Sequence, residues 1–472
     1  MVRKSFFEAL GLPCNSIALN EKRQLNNQKI KTLFIFLFTA IALLSVSHSV
    51  KAQENSKPLS LEDAVHAAIT NNKQITLATM DEKIAQSNYK QTEAVYLPQV
   101  GFSYTSLNTN NPLNAFGFKL QQRSISQSDF NPDLLNNPST TSDFTTKLEL
   151  QQPIINMDML YKRKAAAKQT ELYQYKTQRT KEYLTFEVQK AYLQLQMAYD
   201  AMDVLEDALK TTNAVYIFSD NHYKQGLIQK SDVLNAKLRV TTIETNIAKA
   251  KSNIQNASDY IGLLMGTEAG IVYTVEKTQS AEKPSAENSS QISLQRADFT
   301  AMQKAIEASD LMIKSSKMSY LPKLNAFGNY QLNDSHILGF GAGSWMVGMQ
   351  LSWDIFKGNK TKNTIITQTL ERDKLKEQLV QQKEQSQLEL NKAYRDLTDA
   401  QFDMKQQKAA IEQAAEALQI LQNRYQQGLV NTTDVLMAAT QLAQQKFGLL
   451  QAHYAANTTN AYIQFLTSTD KK

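Results

Sequence analysis

The 472-residue chain has one cysteine, Cys14, and only 15 glycines, 9 prolines, 2 tryptophans and 5 histidines. A single thiol excludes an internal disulfide and any cysteine-based metal site. So few Gly and Pro argue against the two or three compact, turn-rich domains that this length would allow, and favour long uninterrupted elements. The histidines, His48, His66, His222, His336 and His453, are scattered, with no partner at metal-ligand spacing. There is no Gly-Lys-Ser/Thr phosphate loop and no clustered acid, base and nucleophile. No catalytic, cofactor or metal site is therefore expected, and the chain does not read as an enzyme.

What the chain has begins with a leader. Lys22, Arg23, Lys29 and Lys31 precede the apolar run Thr32 to Val46, and Val50-Lys51-Ala52 puts small residues where a signal peptidase reads. The run falls short of the roughly 20 residues of a membrane-spanning helix, so residues 1–52 read as a secretory signal peptide cleaved after Ala52. Seven basic and two acidic residues lie in that leader, so its removal takes the formal charge from +6 to +1. The apparent basicity belongs to targeting, and no nucleic-acid partner follows from it. Cys14 leaves with the leader, so the exported chain has no thiol for a disulfide or lipid anchor and must be held by packing and assembly.

The sequence repeats itself. Tyr223-Lys-Gln-Gly226-Leu227-Ile-Gln-Lys-Ser-Asp232-Val233-Leu234 recurs 202 positions later as Tyr425-Gln-Gln-Gly428-Leu429-Val-Asn-Thr-Thr-Asp434-Val435-Leu436. A shared twelve-residue signature means a duplicated architecture. The first repeat occupies 53–266 and the second 292–472, joined by a polar connector over 267–291. Each has the same order: a helix (62–94; 295–318) stopped by Tyr96-Leu97-Pro98 or Tyr320-Leu321-Pro322, two strands (about 98–108 and 142–153; 322–333 and 344–355), a long helix (155–225; 357–427), a tip turn (223–232; 425–434) and a returning helix (232–264; 434–466). The long helices are rich in Gln, Lys, Ala, Leu and Glu and predict rods of about 105 Å. Gly226 and Gly428 end them, and Ser231-Asp232 and Thr433-Asp434 are expected to cap the helices that follow. The repeat offset is 224 at Tyr96/Tyr320 but 202 at the tips, so 22 extra residues lie between the first pair of strands, in Asn108 to Ser142. That segment reads as a large loop at the end away from the helices, which would face the cell exterior if the strands span an outer membrane.

The strands alternate, most strictly in Trp345-Met-Val347-Gly-Met349-Gln-Leu351-Ser-Trp353. Alternation alone fits a soluble sandwich as well as a membrane barrel. Two features separate them. Trp345 and Trp353 share a face about 27 Å apart, close to the about 25 Å apolar band of an outer-membrane barrel with its interface aromatics. In addition, four strands are too few to close a barrel, and an open edge is not viable in lipid, so the chain must share its barrel with copies of itself.

With its leader, paired Tyr-Leu-Pro strand starts and paired Tyr-x-x-Gly-Leu-x-x-x-x-Asp-Val-Leu turns, the exported chain resembles, over essentially its whole length, the TolC family of outer-membrane efflux and secretion channels. The resemblance implies a membrane α+β fold: a homotrimer whose twelve-stranded β-barrel, four strands per chain, continues into a long periplasmic helical barrel. It implies residence in the outer membrane of a Gram-negative bacterium, contact with outer-membrane lipid, and a passive role in a tripartite efflux pump or type I secretion system. The tips, Tyr223, Gly226, Leu227, Tyr425, Gly428 and Leu429, would then meet a periplasmic adaptor protein bound to an inner-membrane pump. Asp434 matches an acidic position at the family's entrance, whereas Met437 and Val430 stand where a second aspartate and a closing arginine are expected, so closure must be held differently here. Asp232 and Asp434 are open to two readings, gate residue or helix cap, and Lys230 is the further charge at the entrance. Against this stands an interaction protein, a periplasmic adaptor or a coiled-coil rod. An adaptor usually offers one helical hairpin, whereas this chain has two, together with amphipathic strands.

Overall fold

The computed structural model describes residues 56–276 and 291–468; the signal-peptide reading lies outside them. The chain opens with β1 (Ser56–Pro58), followed by α1 (Leu61–Asn71) and α2 (Lys73–Gln91). The single helix expected over 62–94 is thus broken at Asn72. Its Oδ1 accepts from the Gln74 amide at 2.7 Å, capping α2, while its Nδ2 donates to the Leu264 carbonyl at 2.8 Å. One side chain both starts a helix and ties it to a neighbour, which holds the break in place.

After a 3₁₀ turn at Thr92–Val95, β2 (Gln99–Thr109) and β3 (Thr141–Ile155) form a hairpin. The residues between them include α3 (Pro112–Gln121) and α4 (Pro132–Asn136), so the expected loop carries helices of its own. α5 (Met157–Lys224) has 68 residues and no Gly or Pro, the condition for an unbroken helix of about 100 Å. α6 (Lys230–Met265) returns along it, and β4 (Val272–Thr274) follows. β4 pairs in parallel with β1, so the stretch read as connector contributes a strand before the described residues break off. Tyr192 and Tyr199 of α5 fix this small sheet by donating to the carbonyls of Leu59 at 3.1 Å and Tyr273 at 2.9 Å. The second repeat comprises α7 (Ala297–Met318), β5 (Lys323–Asp334), β6 (Ala342–Ser352), α8 (Lys360–Gln426, 67 residues) and α9 (Thr432–Thr467).

The four long strands form one antiparallel sheet in the order β2-β3-β5-β6. The two hairpins are therefore joined by the β3–β5 pair, and β2 and β6 are edges without a partner among the described residues. Register separates the faces. Phe102, Leu148, Tyr330 and Trp345 stand in one cross-strand row, and Val100, Leu150, Gly328 and Val347 in the next, all on one side. Ser103, Lys147, Gln331 and Ser344 form a row on the opposite side. The apolar side is exposed in the single chain, with Trp345 at 73 % and Met349 at 73 %.

The helices share no single core. α5 packs on α1, α2, α6, α7 and α9, whereas α8 packs on α7 and α9. One apolar cluster gathers α1, α5, α6 and β4, another joins α8 to α9, and a third lies at the tips. Beside the α8–α9 cluster, at the start of α7 and the end of α9, sits a polar knot around a buried arginine. The Arg296 guanidinium meets both Asp298 carboxylate oxygens at 2.7 Å, donates to Ser386 Oγ of α8 at 2.8 Å, and lies 4.2 Å from the centre of the Phe299 ring. Arg179 of α5 joins it, donating to Glu182 at 2.8 Å and to the Phe465 carbonyl at 3.2 Å. No helix among the described residues is long and apolar enough to cross a membrane.

Candidate functional site: the paired helical tips

At the C-terminal end of each long rod the chain reverses through a left-handed glycine, Gly226 with φ 76° and Gly428 with φ 72°. The bonding is the same in each. The Gly226 amide donates to Tyr223 and the Leu227 amide to His222; the Gly428 amide donates to Tyr425 and the Leu429 amide to Arg424. These bonds satisfy the last carbonyls of α5 and α8, and glycine takes the positive φ without the Cβ penalty of other residues. The turn projects Leu227 and Leu429 into solvent, 63 % and 61 % exposed.

Around this common frame the two tips differ. Tyr223 is 40 % exposed, whereas Tyr425 is 7 % exposed and inserted between the two hairpins. Its hydroxyl lies 2.8 Å from Ser219 Oγ and 2.7 Å from Thr432 Oγ1, and its ring is 4.8 Å from that of Phe218. Because Ser219 Oγ donates to the Val215 carbonyl at 2.8 Å, the tyrosine hydroxyl donates to Ser219 and accepts from Thr432. Val215, Ala236, Leu418, Val435 and Leu436 close apolar contacts around it, with Val430 packed partly buried at the edge. The residue standing where an arginine was expected is thus a packing residue. Close by, Arg239 of α6 donates to Thr440 Oγ1 of α9 at 2.6 Å, a second link between the hairpins.

The helices after the turns begin earlier than expected, so Ser231-Asp232 and Thr433-Asp434 are not N-caps. Gln229 and Asn431 hold the cap positions, and Lys230 and Thr432 open the helices. Both aspartates lie in the first turn, where their charge complements the helix dipole. Asp434 also reaches back, its Oδ2 accepting from the Asn431 amide at 3.2 Å. Gln229 makes no side-chain capping bond, and Lys230 is exposed on the rim. At the sheet, Trp345 is the fourth residue of β6, opposite Tyr330. The strand reading of 344–355 placed Trp353 within β6, but pairing ends at Ser352, and the Trp353 indole turns to donate to the Tyr320 carbonyl at 2.9 Å.

Ser219, Phe218 and Thr432 escaped the sequence reading. The signal was available in the repeat itself: at the same offset, Leu421 corresponds to Ser219 and Lys230 to Thr432. A hydroxyl standing where the other repeat packs a partly buried leucine marks a buried polar partner, but no motif says which one. Removing only the central hydroxyl, in Tyr425→Phe, leaves Ser219 and Thr432 without it at a cost of about 1–3 kcal/mol. Amide exchange at both tip turns should then rise about tenfold or more, with assembly intact. Unchanged exchange would show that the apolar cluster alone holds the hairpins together.

Among the described residues, no group of three or more His, Cys, Asp or Glu is arranged to hold a metal. Duplicated hairpins of strands and helices, with open sheet edges and paired tips, match a known family model, outer membrane efflux protein, over residues 64–267 and 288–469. The chain belongs to the outer membrane efflux protein family. Within it, the cation efflux system protein CusC of Escherichia coli K12 is 24 % identical over 409 residues, covering 83 % of this chain and 82 % of that protein. The probable outer membrane lipoprotein SilC of Salmonella typhimurium is 21 % identical over 402 residues, covering 82 % and 81 %. Among solved structures, CusC superposes with a TM-score of 0.75 at 18 % identity over 90 % of this chain and 96 % of that one. The Campylobacter jejuni CmeC outer membrane channel gives 0.74 at 16 % identity over 86 % and 85 %. This efflux protein therefore has the channel fold and is an outer-membrane protein whose helices extend into the periplasm.

Proposed function

We propose that three copies of this efflux protein close one twelve-stranded barrel and act as the passive outer-membrane conduit of a tripartite assembly. An adaptor docks at the tips, and an inner-membrane pump supplies the driving force. The observation that carries the reading is the sheet: among the described residues β2 and β6 are unpaired edges, in a sheet whose exposed face is apolar. Lipid does not tolerate open edges, and pairing β2 of one copy with β6 of the next removes them. Twelve strands leave a water-filled interior, which the polar face carrying the Lys147–Gln331 row would line. Trp345 and Trp353 would then anchor the interfaces with lipid. Leu227 and Leu429, exposed beside the left-handed glycines, offer the adaptor six apolar points per trimer.

Light scattering of the detergent-purified protein, corrected for bound detergent, is expected to give three times the chain mass, in a form that heating in dodecyl sulfate converts to monomers. A monodisperse monomer, or recovery with the inner membrane, would remove the shared barrel.

A further inference from the structure

The two hairpins of the sheet differ at the end away from the long helices. The second closes through residues 335–341, while the first carries residues 110–140 with α3 and α4. This insertion is stitched to three strands. Gln122 Nε2 donates to the Ser142 carbonyl at 2.8 Å and to Asp143 Oδ1 at 2.9 Å. Arg123, at a positive φ of 55°, donates to the Gly343 carbonyl at 2.7 Å. Asn333 Nδ2 donates to Asp143 Oδ2 at 3.0 Å and Thr145 Oγ1 at 2.8 Å, and lies 3.4 Å from Gln121 Oε1.

Which face this network occupies follows from register. Thr105, Thr145, Asn333 and Ala342 form one row, two residues along from the polar row of Lys147 and Gln331 and on the same side. Asp143 shares that side by alternation. Asp143 and Asn333 are each 1 % exposed, so the insertion covers the polar face at this end of the sheet. It is braced internally as well. Lys119 of α3 meets Asp129 at 2.6 Å, and this bond, with those from Ser126, holds the Asp129 carboxyl down to about 2. A buried network with a carboxylate at its centre does not open as cheaply as a solvated loop.

We propose that the anchored insertion narrows the outer mouth of the channel and limits the size of what leaves it, with Gln122, Arg123, Asp143 and Asn333 as positioning residues. This rests on the barrel reading above, in which the polar face lines the lumen.

Single cysteines test it, since Cys14 lies in the leader. Gln331→Cys reports the polar face below the network, Met349→Cys the apolar face, and Ser128→Cys the exposed insertion. On intact cells a small charged maleimide is expected to label Gln331→Cys but not Met349→Cys. A bulky polyethylene-glycol maleimide should label Gln331→Cys about tenfold more slowly than Ser128→Cys, and adding Gln122→Ala with Arg123→Ala should erase that difference, equivalent to about 1.4 kcal/mol of lost anchoring. Asn333→Asp, which sets a second carboxylate against Asp143, is a separate route to the same release should the double variant assemble poorly. Equal bulky-reagent rates at Gln331→Cys and Ser128→Cys in the otherwise unaltered chain would overturn the narrowing while leaving the barrel intact. Labelling of Met349→Cys as fast as Gln331→Cys by the small reagent would instead overturn the barrel, and the narrowing with it.

Discussion

Replacing Arg296 with alanine is expected to destabilise the helical region by about 3–5 kcal/mol, because it removes one partner of a buried ion pair and leaves the other behind. Arg296 is 3 % exposed and binds Asp298 through two bonds. After the substitution, the remaining cation near Asp298 is Arg179, with its Nε 3.9 Å away. The same change also loosens Ser386 of α8 and the end of α9, and through Asp298 it reaches Arg179 of α5, so helices from both repeats feel it. The pH dependence gives a sharper readout than the midpoint. Burial pushes the Asp298 carboxyl up, but the Arg296 bonds and the charges of Arg296 and Arg179 outweigh it and hold the group below its ordinary value. A depressed carboxylate contributes stability above its unfolded value of about 3.9, and the contribution is lost as pH falls through the lower folded value. The unaltered protein should therefore lose stability below about pH 4. In Arg296→Ala, burial acts with less opposition, so this part of the acid loss should flatten or reverse. Thermal melts followed by far-UV circular dichroism across that range check both points. An unchanged melt at neutral pH would mean that the knot is solvated and the helices are held by their apolar clusters alone.

Gly428→Pro is the second large expected effect. Proline fixes φ near −65° and has no N–H, whereas Gly428 sits at φ 72° and donates to the Tyr425 carbonyl at 3.0 Å. The turn cannot form as it stands, so the end of α8 and the start of α9 must reorganise. Tyr425 leaves its place between the hairpins with them. Because the sheet lies at the other end of a helix of about 100 Å, trimers should still form while export falls about tenfold or more, a loss equivalent to about 1.4 kcal/mol of tip function. Charged replacements at the exposed positions, Leu227→Asp with Leu429→Asp, should give the same separation of assembly from export without disturbing the turn. Full export by either variant, measured beside intact trimer bands, would take the tips out of the mechanism.

The long helices, the strand faces and the tip turns could be read from the chain because each is written locally. Residues 157–224 and 360–426 contain no Gly or Pro, Trp345 to Leu351 alternate, and a Gly at the end of a polar helix demands a left-handed turn. The misreadings were local features redirected by distant partners. Asn72 breaks a helix because the Leu264 carbonyl waits for its amide. The Trp353 indole answers the Tyr320 carbonyl beyond the last paired residue of β6. In the presumed connector, Val272–Thr274 becomes a strand because Ser56–Pro58 pairs with it.

By itself, then, the sequence determined the duplication, the order of elements, the two chemically distinct strand faces and the place of each chain reversal, since all of these follow from periodicity and backbone preference within a few residues. Only the tertiary structure decided that β3 pairs with β5 and joins the repeats into one sheet, that Tyr425 is buried while Tyr223 is exposed, that Arg296 gathers three helices, and that residues 110–140 fold onto the polar face. These depend on contacts between residues as far apart as Arg123 and Gly343 or Ser219 and Tyr425. A side chain's type states that it needs a hydrogen-bond partner when buried; which partner it finds is fixed only when the chain has closed on itself.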